Sequence, residues 1–426
     1  MKAAIIAVGS EMLTPSKIDT NSLFITEQLN LLGIEIAFKS IVGDDRGQLE
    51  HAVRGALECV ELLVCCGGLG PTDDDLTRDV VADALGLALV EDETITARIR
   101  ARFEGRGLQM PEINRRQAMV PVGARVLENT AGTAPGLWIE AAGDRLVLLL
   151  PGPPRELKPM ITALVDGPLR ARAGASVLVR RVIKITGRSE SHTEEAVQPL
   201  YKEWGRAATP IAVTILASLG QIELHLSATS HDRAAADAAL DAAVTQVVDV
   251  LGLYVYSTNG QALEEVLGVM LAQRTLTIGL AESCTGGLIA SRLTDVPGSS
   301  RYVERGIVAY SNAAKTELLG VLETMIATHG AVSEPVATAM AEGIRSRANV
   351  DIGVGVTGIA GPDGGTPEKP VGTVAIAAAA AAGTRVRTFR FVGGREMVKF
   401  QASQAALDMV RRLLIENGGP EKARST

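Results

Sequence analysis

Aromatic rings are nearly missing from this chain: phenylalanine, tryptophan and tyrosine make up 3% of 426 residues. A ring-stacked core is therefore excluded, and the interior has to be aliphatic and alanine-rich. Cysteine is scarce too. Cys59, Cys65, Cys66 and Cys284 are the only four, and no two form a CxxC pair, the spacing of many redox and metal motifs. Cys65 and Cys66 lie in the apolar run ELLVCCGG and read as small buried hydrophobes. Positive charge is not in excess. The net charge of -7 argues against a general nucleic-acid binder, whose phosphate contacts need lysine and arginine. No stretch reaches the roughly 18 uncharged apolar residues of a membrane span, and VGTVAIAAAAAAG is too short and alanine-rich to be one. The opening MKAAIIAVGSEM has one basic residue and an apolar run that meets Glu11, without the length or cleavage pattern of a secretory signal. These absences give the expectation of a cytoplasmic protein with no membrane partner and no direct nucleic-acid partner.

What is present is a long, glycine-rich globular chain: 44 glycines, 46% hydrophobic and 21% charged residues. Its length exceeds the usual single core, so several domains are expected. The pattern predicts α/β architecture: two α/β three-layer domains joined by a small α+β module. The first spans 1–170, with strand AAIIAVG, helix SLFITEQLNLLG, strand IEIAFKSIV, helix QLEHAVRGALEC and strand LLVCCGG alternating as in a mostly parallel sheet. The second spans 171–253 and contains a hairpin, IAVTILASLGQIELHLSATS, broken near Gly220. The third spans 254–417, and 418–426 reads as a frayed tail. Alanine-rich helices make a homodimer the expected assembly.

In the third block, AESCTGG follows the apolar run LTIGL, which reads as a strand ending at Leu280. Residues just past a strand sit at the carboxyl edge of the sheet, where open α/β sheets bind ligands. A helix starting near Thr285 would offer free amides to an oxyanion, and Gly286 and Gly287 would let backbone pass close to a ligand. Ser283 is thus either a nucleophile or an ordinary helix cap. A serine nucleophile needs a base. The one histidine of this block, His329, falls at a helix end. Lys315, in the polar turn YSNAAK after the strand GIVAY, shares the sheet edge with Ser283. Burial could lower its proton affinity enough to make it a base; the alternative is a solvated helix lysine. Tyr310 and Asn312 belong to the same turn. The glycine-rich loop TGIAGPDGGTPEKPVGTV, with Thr357, Gly358 and Gly361, offers amides to an anion, and Asp363 or Glu368 are candidates to fix a ribose hydroxyl. Arg395, at a helix start beside two glycines, is placed for a phosphate or is a plain surface arginine.

In the first block, GGLGPTDDDLTRD follows a strand. Gly68, Gly70 and Thr72 make a tight turn, and Asp73, Asp74 and Asp75 are adjacent carboxylates that either bind a hard cation or cap the next helix. Glu11, Asp19, Asn21 and Asp44 occupy further polar stops on the same side, with Asn129 in NTAGTAPG and Glu156 in the first turn of a helix after LPGPP.

These motifs carry a resemblance. AESCTGG, ERGIVAYSNAAK, HGAVSEPV, TGIAGPDGG and KPVGTV, in that order, resemble the carboxy-terminal domain of the CinA family. The resemblance implies a nicotinamide mononucleotide deamidase that uses no metal and releases nicotinate mononucleotide and ammonia. It implies Ser283 as nucleophile, Lys315 as base with Tyr310 beside it, and Arg395 after the late glycine turn; Asn312, Thr285, Gly286, Gly287, Thr357, Gly358 and Gly361, in the turns and loop above, are the further residues expected around the substrate. VGSEML, DTN, VGDD, GGLGPTxDDLT, NTAGTAPG and LPGPPRELKPM resemble the family's molybdopterin-binding-like amino-terminal domain. There it implies a divalent-metal (Mg²⁺ or similar) ADP-ribose pyrophosphatase, with Asp74, Asp75 and Glu156 toward the metal. The middle block resembles the family's KH-like module, although it lacks an evident GxxG clamp. Its segment TGRSESHTEEAV implies Arg188 and Glu190 as contributors to the amino-terminal site. Pyridine and adenine nucleotides are the partners so implied. Alternatives are a non-catalytic amino-terminal module, a molybdopterin-binding protein, or a competence or DNA-damage factor acting through protein contacts.

Overall fold

A computed structural model describes residues 1–174, 177–218 and 220–417; the tail expected at 418–426 lies outside the described residues. The chain forms two compact units. One holds Met1–Val179 with Ala228–Asp237; the other holds Arg180–Ser227 and the chain from Ala238 on.

The first unit is built on β1 (Lys2–Val8), β2 (Glu35–Val42), β3 (Leu62–Cys66), β4 (Leu89–Glu91), β5 (Met119–Pro121), β6 (Arg125–Leu127), β7 (Gly136–Ala141) and β8 (Arg145–Leu150). The main sheet runs β2-β1-β3-β8-β7-β6. Its first four strands are parallel, as the alternation predicts; β7 is reversed, pairing antiparallel with β8 on one side and with β6 on the other. Helices α1 (Thr20–Asn30), α2 (Arg46–Cys59), α3 (Thr77–Leu85), α4 (Glu93–Glu104), α5 (Pro154–Asp166) and α6 (Pro168–Ala173) cover it. Alternate residues of each strand face opposite layers. Ala4, Ile6, Leu63 and Cys65 pack with α2, α3 and α4, while Ala3, Ile5, Leu62 and Cys66 pack with α1, α5 and α6. Cys65 and Cys66 are thus buried on opposite faces, as small hydrophobes.

The KH-like module is a four-stranded sheet, β10-β11-β9-β12, from β9 (Val177–Thr186), β10 (Ile211–Ser218), β11 (Gln221–Ser230) and β12 (Val255–Ser257), with α7 (Glu190–Trp204) and α8 (Arg233–Leu251). Strands β10 and β11 are the expected hairpin.

The last domain has helices α9 (Leu263–Gln273), α10 (Leu288–Thr294), α11 (Asn312–Leu319), α12 (Glu323–His329), α13 (Glu334–Ala348) and α14 (Arg395–Asn417) around β13 (Ile278–Glu282), β14 (Val303–Val308), β15 (Ile352–Gly358), β16 (Thr373–Ala380) and β17 (Gly383–Arg390). The sheet order is β14-β13-β15-β16-β17, with β14, β13 and β15 parallel. Leu280, Val354 and Ile376 pack against α9, α10 and α14 on one face. On the other face Ala375, Ala377 and Ala379 meet Ala337 and Ala341 of α13, and Ala281 and Ala309 pack with Val336, Met340 and Ile344. Where Gly353 and Gly355 of β15 lie under α13, helix and strand backbones nearly touch: an added β-carbon would lie 2.1 Å from the Ala341 carbonyl and 2.3 Å from the Ala337 carbonyl, respectively. A β-carbon added at Gly343 of α13 would lie 2.0 Å from the Leu319 carbonyl that ends α11. Among the described residues, no helix is long and apolar enough to cross a membrane.

Candidate functional site

The site lies where β13 and β14, parallel neighbours, reach the same edge of the sheet. Strand β13 continues two residues beyond the expected end, through Ala281 to Glu282. Ser283 still donates its amide to Val356 of β15 at 2.9 Å, so the rigid sheet fixes the serine's backbone. After β14 the chain turns into α11, capped by Ser311, whose hydroxyl accepts from the Ala314 amide at 3.1 Å. One turn in, Lys315 points back at the sheet. Its Nζ lies 3.1 Å from Ser283 Oγ, 3.1 Å from the Ala309 carbonyl and 3.4 Å from the Tyr310 carbonyl. Lys315 is 2% exposed and Ser283 7% exposed, which removes the solvated-lysine alternative. Burial pushes the amine below the ordinary lysine value, and among the described residues no carboxylate pairs with it. The amine thus has three hydrogen-bond partners, the serine hydroxyl and two backbone carbonyls.

Ser283 is not a helix cap. Helix α10 starts at Leu288, three residues later than expected, and its N-terminus is filled by Glu282. Glu282 is 1% exposed. Its Oε2 accepts from the amides of Gly287 (3.0 Å) and Ile289 (3.1 Å), and its Oε1 from Ala290 (2.9 Å). The carboxylate takes the helix end that an oxyanion would otherwise have used. Sequence reasoning missed this residue because it reads as one more polar residue of the turn. The available signal was a glutamate ending an apolar strand just before two glycines and a helix. The turn needs left-handed backbone at Gly286 (φ 63°) and Gly287 (φ 91°). The Gly286 amide is committed to the Ser283 carbonyl at 3.1 Å, so it leaves the expected amide cluster. The amides of Cys284 and Thr285 have no backbone carbonyl partner among the described residues. Thr285 is fully buried, and its hydroxyl likewise has no hydrogen-bond partner there. The Cys284 thiol is pushed up to about 12 by burial, the opposite of an activated thiolate.

At the mouth, Tyr310 is exposed, and its hydroxyl accepts from Arg395 Nη2 at 2.8 Å. Arg395 Nη1 donates to the Gly361 carbonyl at 2.9 Å. The structure thus brings Tyr310, Gly361 and Arg395 together beside Ser283 and Lys315. Asn312 is the exposed first residue of α11. Thr357 is turned inward, its hydroxyl donating to Ala331 at 2.8 Å, and so holds the loop rather than facing a ligand. Gly358 packs over Cys284: an added β-carbon would sit 2.9 Å from its Sγ. Asp363, Glu368 and the His329 ring are exposed.

The amino-terminal cavity, about 340 Å³, is lined by Glu11, Asp44, Gly68, Gly70, Asp74, Asp75 and Glu156. Most of its polar groups are already committed. Asp75 accepts from the Thr72 amide at 2.9 Å and from its hydroxyl. Asp44 accepts from the Ser10 amide at 2.8 Å. Buried Asn129 accepts from the Ala131 and Gly132 amides and donates to Glu156 Oε2 at 2.8 Å. Asp74 faces solvent. Asp19 caps α1 through the Ser22 amide, and Asn21 donates to the Gly152 carbonyl at 2.7 Å. Among the described residues, no three His, Cys, Asp or Glu side chains converge so as to hold a metal ion. Asp74, Asp75 and Glu156 all line this cavity. Arg188 and Glu190 belong to the other unit, where they line a different cavity.

The fold and this edge-of-sheet pair define a multidomain α/β protein with a buried serine and lysine in its last domain. Residues 260–414 match the CinA C-terminal domain, 4–171 the probable molybdopterin binding domain, and 180–257 the damage-inducible protein CinA KH domain. A CinA-like protein of Koribacter versatilis is 48% identical over 97% of this chain and 100% of its own length. A putative competence-damage inducible protein of Symbiobacterium thermophilum is 43% identical over 97% of this chain and 99% of its own. The crystal structure of competence/damage inducible protein CihA from Agrobacterium tumefaciens is 40% identical, covering 37% of this chain and 99% of that one, with a TM-score of 0.35. The chain belongs to the CinA family.

Proposed function

We propose that the last domain is an amidohydrolase that converts nicotinamide mononucleotide to nicotinate mononucleotide and ammonia. The observation that carries this reading is the 3.1 Å approach of a buried lysine amine, free of any carboxylate partner among the described residues, to a buried serine hydroxyl. Neutral Lys315 takes the proton of Ser283 as Oγ attacks the carboxamide carbon. The amides of Cys284 and Thr285 supply the oxyanion's hydrogen bonds. The cationic pyridinium ring withdraws electrons and eases the attack. The carbon–nitrogen bond then breaks, and the Lys315 ammonium gives its proton to the departing amine, which leaves as ammonia. Lys315 next deprotonates a water that attacks the acyl-serine, and the released proton returns to Ser283 as the acid departs. Arg395 and Tyr310, at the mouth, suit the substrate's phosphate and ring. Ammonia release from nicotinamide mononucleotide, measured for the intact chain and for Ser283→Ala and Lys315→Ala, tests the reading; turnover retained in both variants sinks it.

For the amino-terminal domain we infer a nucleotide site. Its support is a polar, glycine-walled cavity at the carboxyl ends of parallel strands. The resemblance adds metal-dependent ADP-ribose cleavage, with Asp74, Asp75 and Glu156 lining the same cavity. AMP release from ADP-ribose, assayed with and without Mg²⁺, separates a catalytic domain from a binding one.

A further inference from the structure

We propose that the second unit carries another ligand site, between its KH-like module and its last domain, that takes a phosphorylated ring compound of mononucleotide size. The inference does not rest on the deamidase reading, since none of Ser283, Lys315, Tyr310 and Arg395 lines this cavity.

The cavity measures about 620 Å³, inside the roughly 300–1,000 Å³ typical of small-molecule sites. Arg188 and Tyr254 reach it from the KH-like side; Arg387, Phe389, Gln404 and Arg412 reach it from β17 and α14. Its charge is lopsided. Four arginines line it, Arg188, Arg385, Arg387 and Arg412, against two acids, Glu190 and Asp408. Asp408 is already held by Arg411 and Arg412, and Arg385 pairs with Glu416. Arg188 and Arg387, one from each module, have no carboxylate partner among the described residues. Arg188 donates to the His192 carbonyl at 3.0 Å, while its Nε is buried without an acceptor. Gln404 is 1% exposed. Its Oε1 accepts from Arg292 at 2.7 Å, and its Nε2 makes no hydrogen bond. Buried donors left unpaired cost stability, and an incoming acceptor removes that cost.

The rest of the wall selects for a ring. Phe389 and Phe391 stack with centroids 5.4 Å apart and planes 9° apart, and the Arg387 guanidinium sits 4.9 Å from the Phe389 centroid. Arg188 and Arg412 lie 5.4 and 5.1 Å from the Tyr254 centroid. Guanidiniums laid on aromatic faces present their planar forks to an oxyanion while the rings offer stacking area. A bare phosphate leaves that aromatic surface uncovered. A bare nucleoside leaves the guanidiniums unanswered. A mononucleotide satisfies both.

An azido-substituted AMP, photolysed with the full chain and followed by peptide mapping, tests the site. We expect label on the peptides carrying Tyr254 or Phe389. Competition should come from AMP and much less from adenosine or inorganic phosphate. The Arg188→Gln/Arg387→Gln double variant should weaken this labelling roughly a hundredfold, about tenfold per lost guanidinium, with its melting temperature checked against the parent. Ser283→Ala should label as the parent does. Absence of label on these peptides, labelling untouched in the double variant, or equal competition by adenosine each overturns the proposal.

Discussion

The two α/β domains place polar residues at the same edge of similar sheets, yet with opposite results. In the last domain the polar groups converge. Lys315 and Ser283 meet in a buried spot, and the nearby Glu282 is saturated by three amides. In the first domain the acids diverge. Asp75 folds back on Thr72, Glu156 is spent on Asn129, and Asp74 faces water. A carboxylate that closes its own turn is fixed by local sequence. A hydroxyl and an amine drawn from separate strands meet only because the sheet brings those strands side by side. Such nonlocal convergence marks a reaction centre more sharply than a run of like charges does.

The contrast can be broken most directly at the lysine. Lys315→Met should lower the rate of amide hydrolysis about a thousandfold or more, while the folded protein stays as stable as the parent near neutral pH or becomes more so. Rate and chemical denaturation, measured on one preparation, check both halves. A variant that loses rate only in proportion to folded protein would make Lys315 structural.

Acidity sharpens the same point. The folded-state value of Lys315 is lowered by burial, so below the ordinary lysine value the unfolded chain binds the extra proton more readily. Stability therefore rises with pH through the window between the lowered value and the ordinary one. The advantage of Lys315→Met should shrink as pH climbs across that window. In the parent, kcat/KM should rise as pH increases through the lowered value, because the neutral amine is the working form. A profile flat across that range would contradict the base assignment.

Next in size is Glu282→Gln. An amide side chain keeps one acceptor oxygen and loses the charge that faces the helix end. We expect a loss of about 1–3 kcal/mol of stability and roughly a tenfold lower kcat with KM little changed, because Ser283 is the next residue. A KM effect alone would place Glu282 outside the positioning of the serine.

In the first domain, Asp75→Ala should cost about 1 kcal/mol through its turn and leave ammonia release untouched. Added Mg²⁺ should not raise this unit's melting temperature. A clear rise would mean that the acids rotate to meet a cation, and the contrast between the domains would narrow. The smallest effect is expected for Tyr310→Phe, which frees Arg395 from one partner: a few-fold rise in KM at constant kcat.

Much of this was legible in the sequence. Strand and helix positions followed from alternating and helical spacing, and the shared edge of Ser283 and Lys315 followed from each residue's place just past a strand. What stayed hidden depends on partners far along the chain. Nothing local says that β13 and β14 are neighbours, that β7 reverses direction, or that Glu282 spends its charge on Gly287, Ile289 and Ala290. The sequence shows the acids of GGLGPTDDDLTRD side by side without showing that Asp75 turns back on Thr72.

The near-contact at Gly343 carries a consequence for the lysine. Helix α11 ends on the bare backbone of α13, with a hydrogen atom where any other residue would have a methyl group. That absence lets α11 seat against α13, and Lys315 reaches the hydroxyl from that same helix. The 3.1 Å approach of Lys315 to Ser283 thus leans on a backbone contact at a position that touches neither side chain.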